Sequence, residues 1–263
     1  MVFHWDIVGC ALATLFGEII GAVYYLYYYL TGKSILSVSI KDFTLKDQVA
    51  GSVLAIGVPA ALGSILMSVS QIIMNSQMSA YGDMAVAGIG VAMKIVMITG
   101  MVSMGIGQGV QPLLGYCVGA KTWSRFRKYM RFAFCLATIL GVALTILCYV
   151  FTNQIVGVFL TDADAFDYAV EFARILLSTG PLFGIFYVLT NALQAMGAAM
   201  PSLIINISRQ GLIYIPVLFL LNGILGITGL VWAQPIVDVI SLVFGIAMYL
   251  KTSRKMMKLK NIA

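Results

Sequence analysis

MAVAGIGVAMKIVMITGMVSMGIGQGVQPLLGYCVGA, residues Met84 to Ala120, decides the fold. Its 37 residues carry one charge, Lys94, and end in glycines, two glutamines and a proline. About 20 consecutive apolar residues already cross a bilayer as a helix. This run crosses with a surplus, and Gln108, Gln111 and Pro112 lie in that surplus. Polar and helix-bending residues at the end of a span need protein or a water-filled cavity around them.

The rest of the chain reads the same way. Of 263 residues, 61% are hydrophobic and 10% charged, against about 25% charged in soluble domains. The net charge is +6, but the basic residues fall between apolar runs and form no exposed basic stripe, so no nucleic-acid partner is expected. Cys10, Cys117, Cys135 and Cys148 all lie in or at the ends of apolar runs without metal-ligand spacing, and read as packing residues. The start, MVFHWDIVGC, has neither a basic n-region nor a cleavage site of small residues, unlike a signal peptide.

Seven apolar runs follow one another: 7–30, 49–76, 84–118, 129–151, 168–196, 201–221 and 230–250. The expected fold is all-α and polytopic, with seven transmembrane helices. Three Lys or Arg lie in 31–48, five in 119–131 and five in 251–263, while the alternate connections hold none. The positive-inside rule then puts the amino terminus outside and the carboxyl terminus in the cytoplasm. The most polar internal segment, with Lys33, Lys41, Asp42, Lys46 and Asp47, suggests three parts. These are a helix over 1–31, a cytoplasmic linker over 32–48 and six helices with a basic tail over 49–263.

Charges inside the runs are a functional-site hypothesis by default, because hydrocarbon disfavours them by several kcal/mol. Glu18, Lys94, Arg209 and Asp238 sit about 8 to 13 residues into their runs, near mid-membrane at ~1.5 Å per residue. They read either as buried structural ion pairs or as groups handling protons or substrate. Glu171 and Arg174, three apart near an outer end, can simply pair and snorkel. Uncharged polar residues fall on helical faces: Ser64, Ser68, Gln71 and Asn75; Tyr187, Asn191 and Gln194; Ser202, Asn206 and Arg209 beside Gln210. Such faces act as helix–helix glue or line a cavity. Met93, Met97, Met101 and Met104 form a soft, adaptable face suited to packing or to varied apolar ligands. All six prolines lie in or at the start of runs, where helices bend. The pairs Gly17/Gly21, Gly105/Gly109 and Gly115/Gly119 permit close helix approach.

Several chemistries have no residues to support them. His4 is the sole histidine, which leaves a membrane metalloprotease or serine protease without a base. No Walker lysine motif is present. A retinal-type lysine is missing from the last run. The chain is read as a non-enzyme, with no cofactor, and with H+ or Na+ as the coupling ion if transport is active.

Five segments carry a family resemblance: Pro59 leading into NSQMSAYGD (75–83), GIGQGVQPLLGYCVGAKTW (105–123), ALQAMG (192–197), SRQGLIYIP (208–216) and WAQPIVD (232–238). In this order and spacing the chain resembles the multidrug and toxic compound extrusion (MATE) family. The likeness runs over essentially the whole chain but covers only part of that architecture, which has two six-helix lobes related by an axis along the membrane normal. The chain resembles the last helix of the first lobe, the cytoplasmic linker and the second lobe. It implies that Met1 is an internal methionine of a longer reading frame, or that the chain is one half of a split gene.

What the resemblance implies is export of amphipathic, often cationic compounds in exchange for protons or sodium ions, by lobes rocking about a central cavity in a bacterial plasma membrane. Gln108 and Pro112 match the family pattern in the third run, Arg209, Gln210 and Gly211 in the sixth, and Gln234, Pro235 and Asp238 in the seventh. Cavity-lining residues would be Ser68, Gln71, Asn75, Met97, Met101, Tyr187, Asn191 and Gln194, and the partners the bilayer, the small-molecule substrate and the missing first lobe. Met67 and Asn191 stand near positions where sodium-coupled members carry a glutamate and an aspartate. The resemblance therefore brings no carboxylate cation site into this lobe. A lipid or polysaccharide flippase of the wider superfamily, or a seven-helix receptor or assembly module, are the alternative readings.

Overall fold

The computed structural model describes residues 6–31, 49–160 and 162–260. Among them every regular element is helical. The elements are α1 (Asp6–Leu30), α2 (Val49–Ser79), α3 (Asp83–Gly119), α4 (Trp123–Val150), α5 (Thr152–Phe159), α6 (Ala163–Leu177), α7 (Gly180–Ala195) and α8 (Ala199–Ile207). A π turn (Ser208–Leu212), α9 (Tyr214–Leu225) and α10 (Ile227–Lys260) complete the chain. Five of the described helices or helix runs are long and apolar enough to cross a membrane, and a sixth arises if α6 and α7 form one bent span. The second apolar run is the 31-residue α2. The linker expected over 32–48 lies outside the described residues, as does His4.

The chain divides into two compact units, Met1–Ala55 and Ile56–Ala263. In the first, α1 ends where the Thr31 hydroxyl donates to the carbonyls of Tyr27 and Tyr28 at 2.9 and 3.1 Å. Its tyrosines pair edge to face, Tyr24 with Tyr25 and Tyr28 with Tyr29. Rings of this kind suit a membrane–water interface, apolar in body and polar at the tip.

The second unit packs around two apolar clusters. One holds Met78, Ile89, Ile95, Phe172, Leu177, Leu218 and Leu230; the other holds Leu114, Trp123, Phe126, Met130, Phe186, Leu193 and Ile205. Lipid is as apolar as leucine, so close van der Waals contact, not water exclusion, has to hold such helices together. Glycine supplies that contact at defined places. A Cβ on Gly107 of α3 would fall 2.7 Å from Asn191 Nδ2 and 3.0 Å from the Tyr187 carbonyl of α7, and one on Gly184 of α7 would fall 2.8 Å from the Ala137 carbonyl of α4. The glycine pairs expected to serve this purpose make no such contact within their own units. Gly17, Gly21, Gly105, Gly109, Gly115 and Gly119 have nothing within 4 Å of a would-be Cβ. Spacing along one helix gives a small face but does not say which face meets a neighbour.

Three departures from a straight seven-span reading follow from local chemistry. The connection after α4 contains the short helix α5, with Thr152 and Val156 buried and Thr152 Oγ1 bonded to the Cys148 carbonyl at 2.6 Å. The fifth run is broken between α6 and α7 with a 46° bend. Pro181, in the first turn of α7, has no N–H to give the preceding turn, so the helix restarts at Gly180. The sixth run passes through the π turn, where Ile213 N reaches five residues back to the Ser208 carbonyl at 2.9 Å. Gly211 sits in that turn because a Cβ there would meet Leu66 of α2 at 2.9 Å. Helices α3 and α10, by contrast, run on through Pro112 and Pro235.

Candidate functional site

Two polar constructions lie inside the second unit. The first centres on Asp238 of α10, 3% exposed. Its Oδ1 accepts from Arg209 Nε at 2.7 Å and from Gln234 Nε2 at 2.9 Å, and Oδ2 accepts from Thr179 Oγ1 at 3.3 Å. Two of the donors come from irregular places, Arg209 from the π turn and Thr179 from the α6–α7 break, and the third, Gln234, lies one turn before Asp238 on α10. The Arg209 guanidinium also stacks over Phe183 and Phe186, 5.1 and 4.7 Å from the ring centroids. Val237 belongs to one apolar cluster and Phe186 to the other, so the ion pair sits at their junction. A buried charge is tolerated when it is paired and hydrogen-bonded, and here the Asp238 carboxylate takes three side-chain donors, one of them the Arg209 guanidinium.

Arg209–Asp238 is the single ion pair among the described residues. Lys94, expected at the same depth, does not join it. Lys94 is exposed and lies over the Phe159 ring at 5.4 Å, while Glu18 is on α1 in the other unit. Eleven residues along α3 set the depth of Lys94 but not its azimuth, and the fold leaves it on an exposed face. Glu171 and Arg174 likewise do not pair with each other: Arg174 sits over Tyr149 at 5.5 Å and Glu171 lines an acidic recess. That recess, about 530 Å³, also gathers Asp83, Asp164 and Asp167, between Tyr81 and Tyr168. No group of three or more potential metal ligands able to hold an ion occurs among the described residues.

The second construction is a cavity of about 390 Å³ between α3, α7 and α8. Helix α3 contributes Met104, Gln108 and Gln111; α7 contributes Tyr187, Thr190, Asn191 and Gln194; α8 contributes Asn206. The four α7 residues share a face at helical spacing, and the close approach of α3 at Gly107 brings the amides of both helices together.

Of the residues read from sequence as cavity lining, Tyr187, Asn191 and Gln194 do meet here, joined by the family-motif residue Gln108. Ser68, Gln71 and Asn75 lie exposed along α2, and Met97 and Met101 lie exposed on α3, outside this cavity. Pro112 is exposed, Gln210 half-buried in the π turn, and Pro235 buried. Thr179 and Thr190 gave no sequence signal. An isolated threonine in an apolar run has no period, and only the fold assigns it a partner.

Helices of this length, closely packed around buried charge and an amide-lined cavity, are those of a polytopic α-helical membrane protein. The MatE family profile matches residues 59–220, and the chain belongs to that family of efflux transporters. It is 30% identical over 236 residues to the multidrug export protein MepA of Staphylococcus aureus strain MSSA476, covering 90% of this chain and 52% of that protein. It is 28% identical over 238 residues to MepA of Staphylococcus saprophyticus, again covering 90% and 52%. The chain thus spans about half the length of the curated relatives it matches. Among solved structures, a MATE protein in complex with MaL6 superposes with a TM-score of 0.82 at 20% identity, over 98% of this chain and 58% of that one. An outward-facing MATE family transporter of the MOP superfamily gives 0.80 at 20% identity, over 97% and 57%. These two likenesses show the fold.

Proposed function

We propose that the chain is the carboxyl-terminal part of a MATE secondary transporter, the last helix of a first lobe and a complete second lobe, acting with a first lobe encoded in the same or a separate reading frame. The whole exports amphipathic, often cationic compounds across a bacterial plasma membrane by proton or sodium antiport. The amide-lined cavity of about 390 Å³, set in a MatE-family fold, is the observation that supports this most directly. The polar face of α2 and the methionine face of α3 would complete the central path against the first lobe. No carboxylate lines the cavity among the described residues, so the coupling ion is assigned to the first lobe. The distribution of Lys and Arg supports α1 entering from outside and α10 ending in the cytoplasm.

The test is energised efflux of a cationic dye from a host deprived of its own pumps, with the two-lobe protein expressed from its natural genomic context. Efflux abolished by collapsing the ion gradient is expected. No gradient-dependent efflux of any cationic dye would overturn the reading.

A further inference from the structure

Helix α4 carries a cationic face that continues into an apolar one. The sequence puts its apolar run at 129–151 and its basic residues in a connection, but the helix starts at Trp123. Its first turns therefore hold Arg125, Arg127, Lys128 and Arg131, and the expectation of no exposed basic stripe does not hold there. Trp123, Phe126, Met130 and Ala133 are buried in one apolar cluster, the Trp123 and Phe126 rings meeting edge to face at 5.6 Å. Spacings of three, four and three put them on one side of the helix. That side fixes the rotation of α4 and turns the cations outward. All four cations are exposed, and none has an ion pair among the described residues. No Asp or Glu occurs in the sequence between Asp83 and Asp162.

The outward face does not end with the charges. From Arg125 and Lys128 it continues at helical spacing through Phe132, Ile139 and Val142, all exposed. Phe132 to Val142 covers about 15 Å at ~1.5 Å per residue, the thickness of one leaflet in a hydrocarbon core of about 30 Å. A soluble anion would engage the cations and leave this apolar strip idle. An anion joined to hydrocarbon engages both.

We infer that the outward face of α4 binds an anionic phospholipid, its phosphate on Arg125, Lys128 and Arg131 and an acyl chain along Phe132, Ile139 and Val142. Guanidinium forks hold phosphate oxygens through paired N–H bonds. A zwitterionic lipid brings the same phosphate but adds an ammonium group, which meets three cations and no carboxylate on this face. The assignment to the cytoplasmic leaflet rests on the topology proposed above.

The test is displacement of an acyl-labelled fluorescent phosphatidylglycerol from the 263-residue chain in neutral detergent. Dioleoylphosphatidylglycerol should compete at least about tenfold better than dioleoylphosphatidylcholine, since each nearby cation contributes about fivefold. Glycerophosphoglycerol, the same headgroup without chains, should not compete at matched concentration. Arg125→Gln combined with Lys128→Gln should bring the two lipids within about threefold of each other while leaving the melting temperature within a few degrees. Lys251→Gln combined with Arg254→Gln removes equal charge from exposed positions on α10 and should leave the preference intact. On the unaltered chain, high salt should reduce it. Equal competition by the two lipids, competition by the free headgroup, a salt-independent preference, or an equal loss in both double variants would each overturn the inference. The leaflet is decided separately, by an impermeant maleimide on a cysteine-depleted chain carrying Lys128→Cys. Labelling on intact cells with the lipid preference retained removes the topology alone; shielding from the reagent with no preference removes this inference alone.

Discussion

Asp238→Asn removes one charge from the centre of a buried network and leaves its size unchanged. The carboxylate receives three side-chain donors, Arg209 at 2.7 Å, Gln234 at 2.9 Å and Thr179 at 3.3 Å. An asparagine oxygen can keep one or two of these, but its NH2 meets donors where the carboxylate met them with lone pairs. The larger loss is electrostatic, because Arg209 remains buried with no counter-charge. Breaking a buried pair from one side costs about 3–5 kcal/mol. For a unit of this size that corresponds to a fall of roughly 10 °C in melting temperature. The assay is the thermal stability of detergent-solubilised protein carrying a fluorescent tag, read by size-exclusion chromatography after heating. The control is the double variant Arg209→Gln with Asp238→Asn, in which neither charge is left alone. It should be more stable than the worse of the two single variants, and the coupling between sites should reach at least about 1 kcal/mol. Strict additivity, or an Asp238→Asn variant that melts with the wild type, would refute the account of Asp238 as the counter-charge that makes Arg209 tolerable.

Three further outcomes are expected. Gly107→Ala should destabilise by about 1–3 kcal/mol, because its Cβ would meet Asn191 Nδ2 at 2.7 Å and the Tyr187 carbonyl at 3.0 Å; Gly105→Ala, with nothing within 4 Å, should be neutral or stabilising by up to about 1 kcal/mol, and the same melting assay compares them. Lys94→Met should shift stability by no more than about 1 kcal/mol, the scale of an exposed cation–π contact, since Lys94 has Phe159 beneath it and no ion pair among the described residues; a loss as large as that of Asp238→Asn would refute this. A cysteine placed at Asp164, in a cysteine-depleted background, should react with an impermeant maleimide on intact cells, and one placed at Lys128 only after permeabilisation; the reverse pattern would invert the proposed topology.

How much of this was legible in the sequence differs between depth and direction. Run lengths and basic residues locate each residue along its helix, which is why the seven apolar runs all proved helical and why Arg209 and Asp238 stood out together with Glu18 and Lys94 as mid-run charges. Azimuth is another matter. Lys94 sits at a depth comparable to Arg209 yet faces outward, and Gly105 and Gly109 flank the glycine, Gly107, that makes the contact. The polar face of α7 could be read because Tyr187, Asn191 and Gln194 recur at helical spacing. Thr179 could not, because its role depends on Pro181 breaking the span and turning the chain by 46°. The short helix α5 escaped for a similar reason: eight residues give too few turns for a period to declare itself.

Ser202 is fully buried and takes no part in the cavity wall. Yet its single proton sets the sense of the Gln194 and Gln111 amides in turn. Removing that hydroxyl would free Gln194 to turn over, and Gln111 with it, exchanging donor for acceptor at the cavity surface without altering a lining residue. The sense of these two cavity amides is thus held by a residue behind the wall they line.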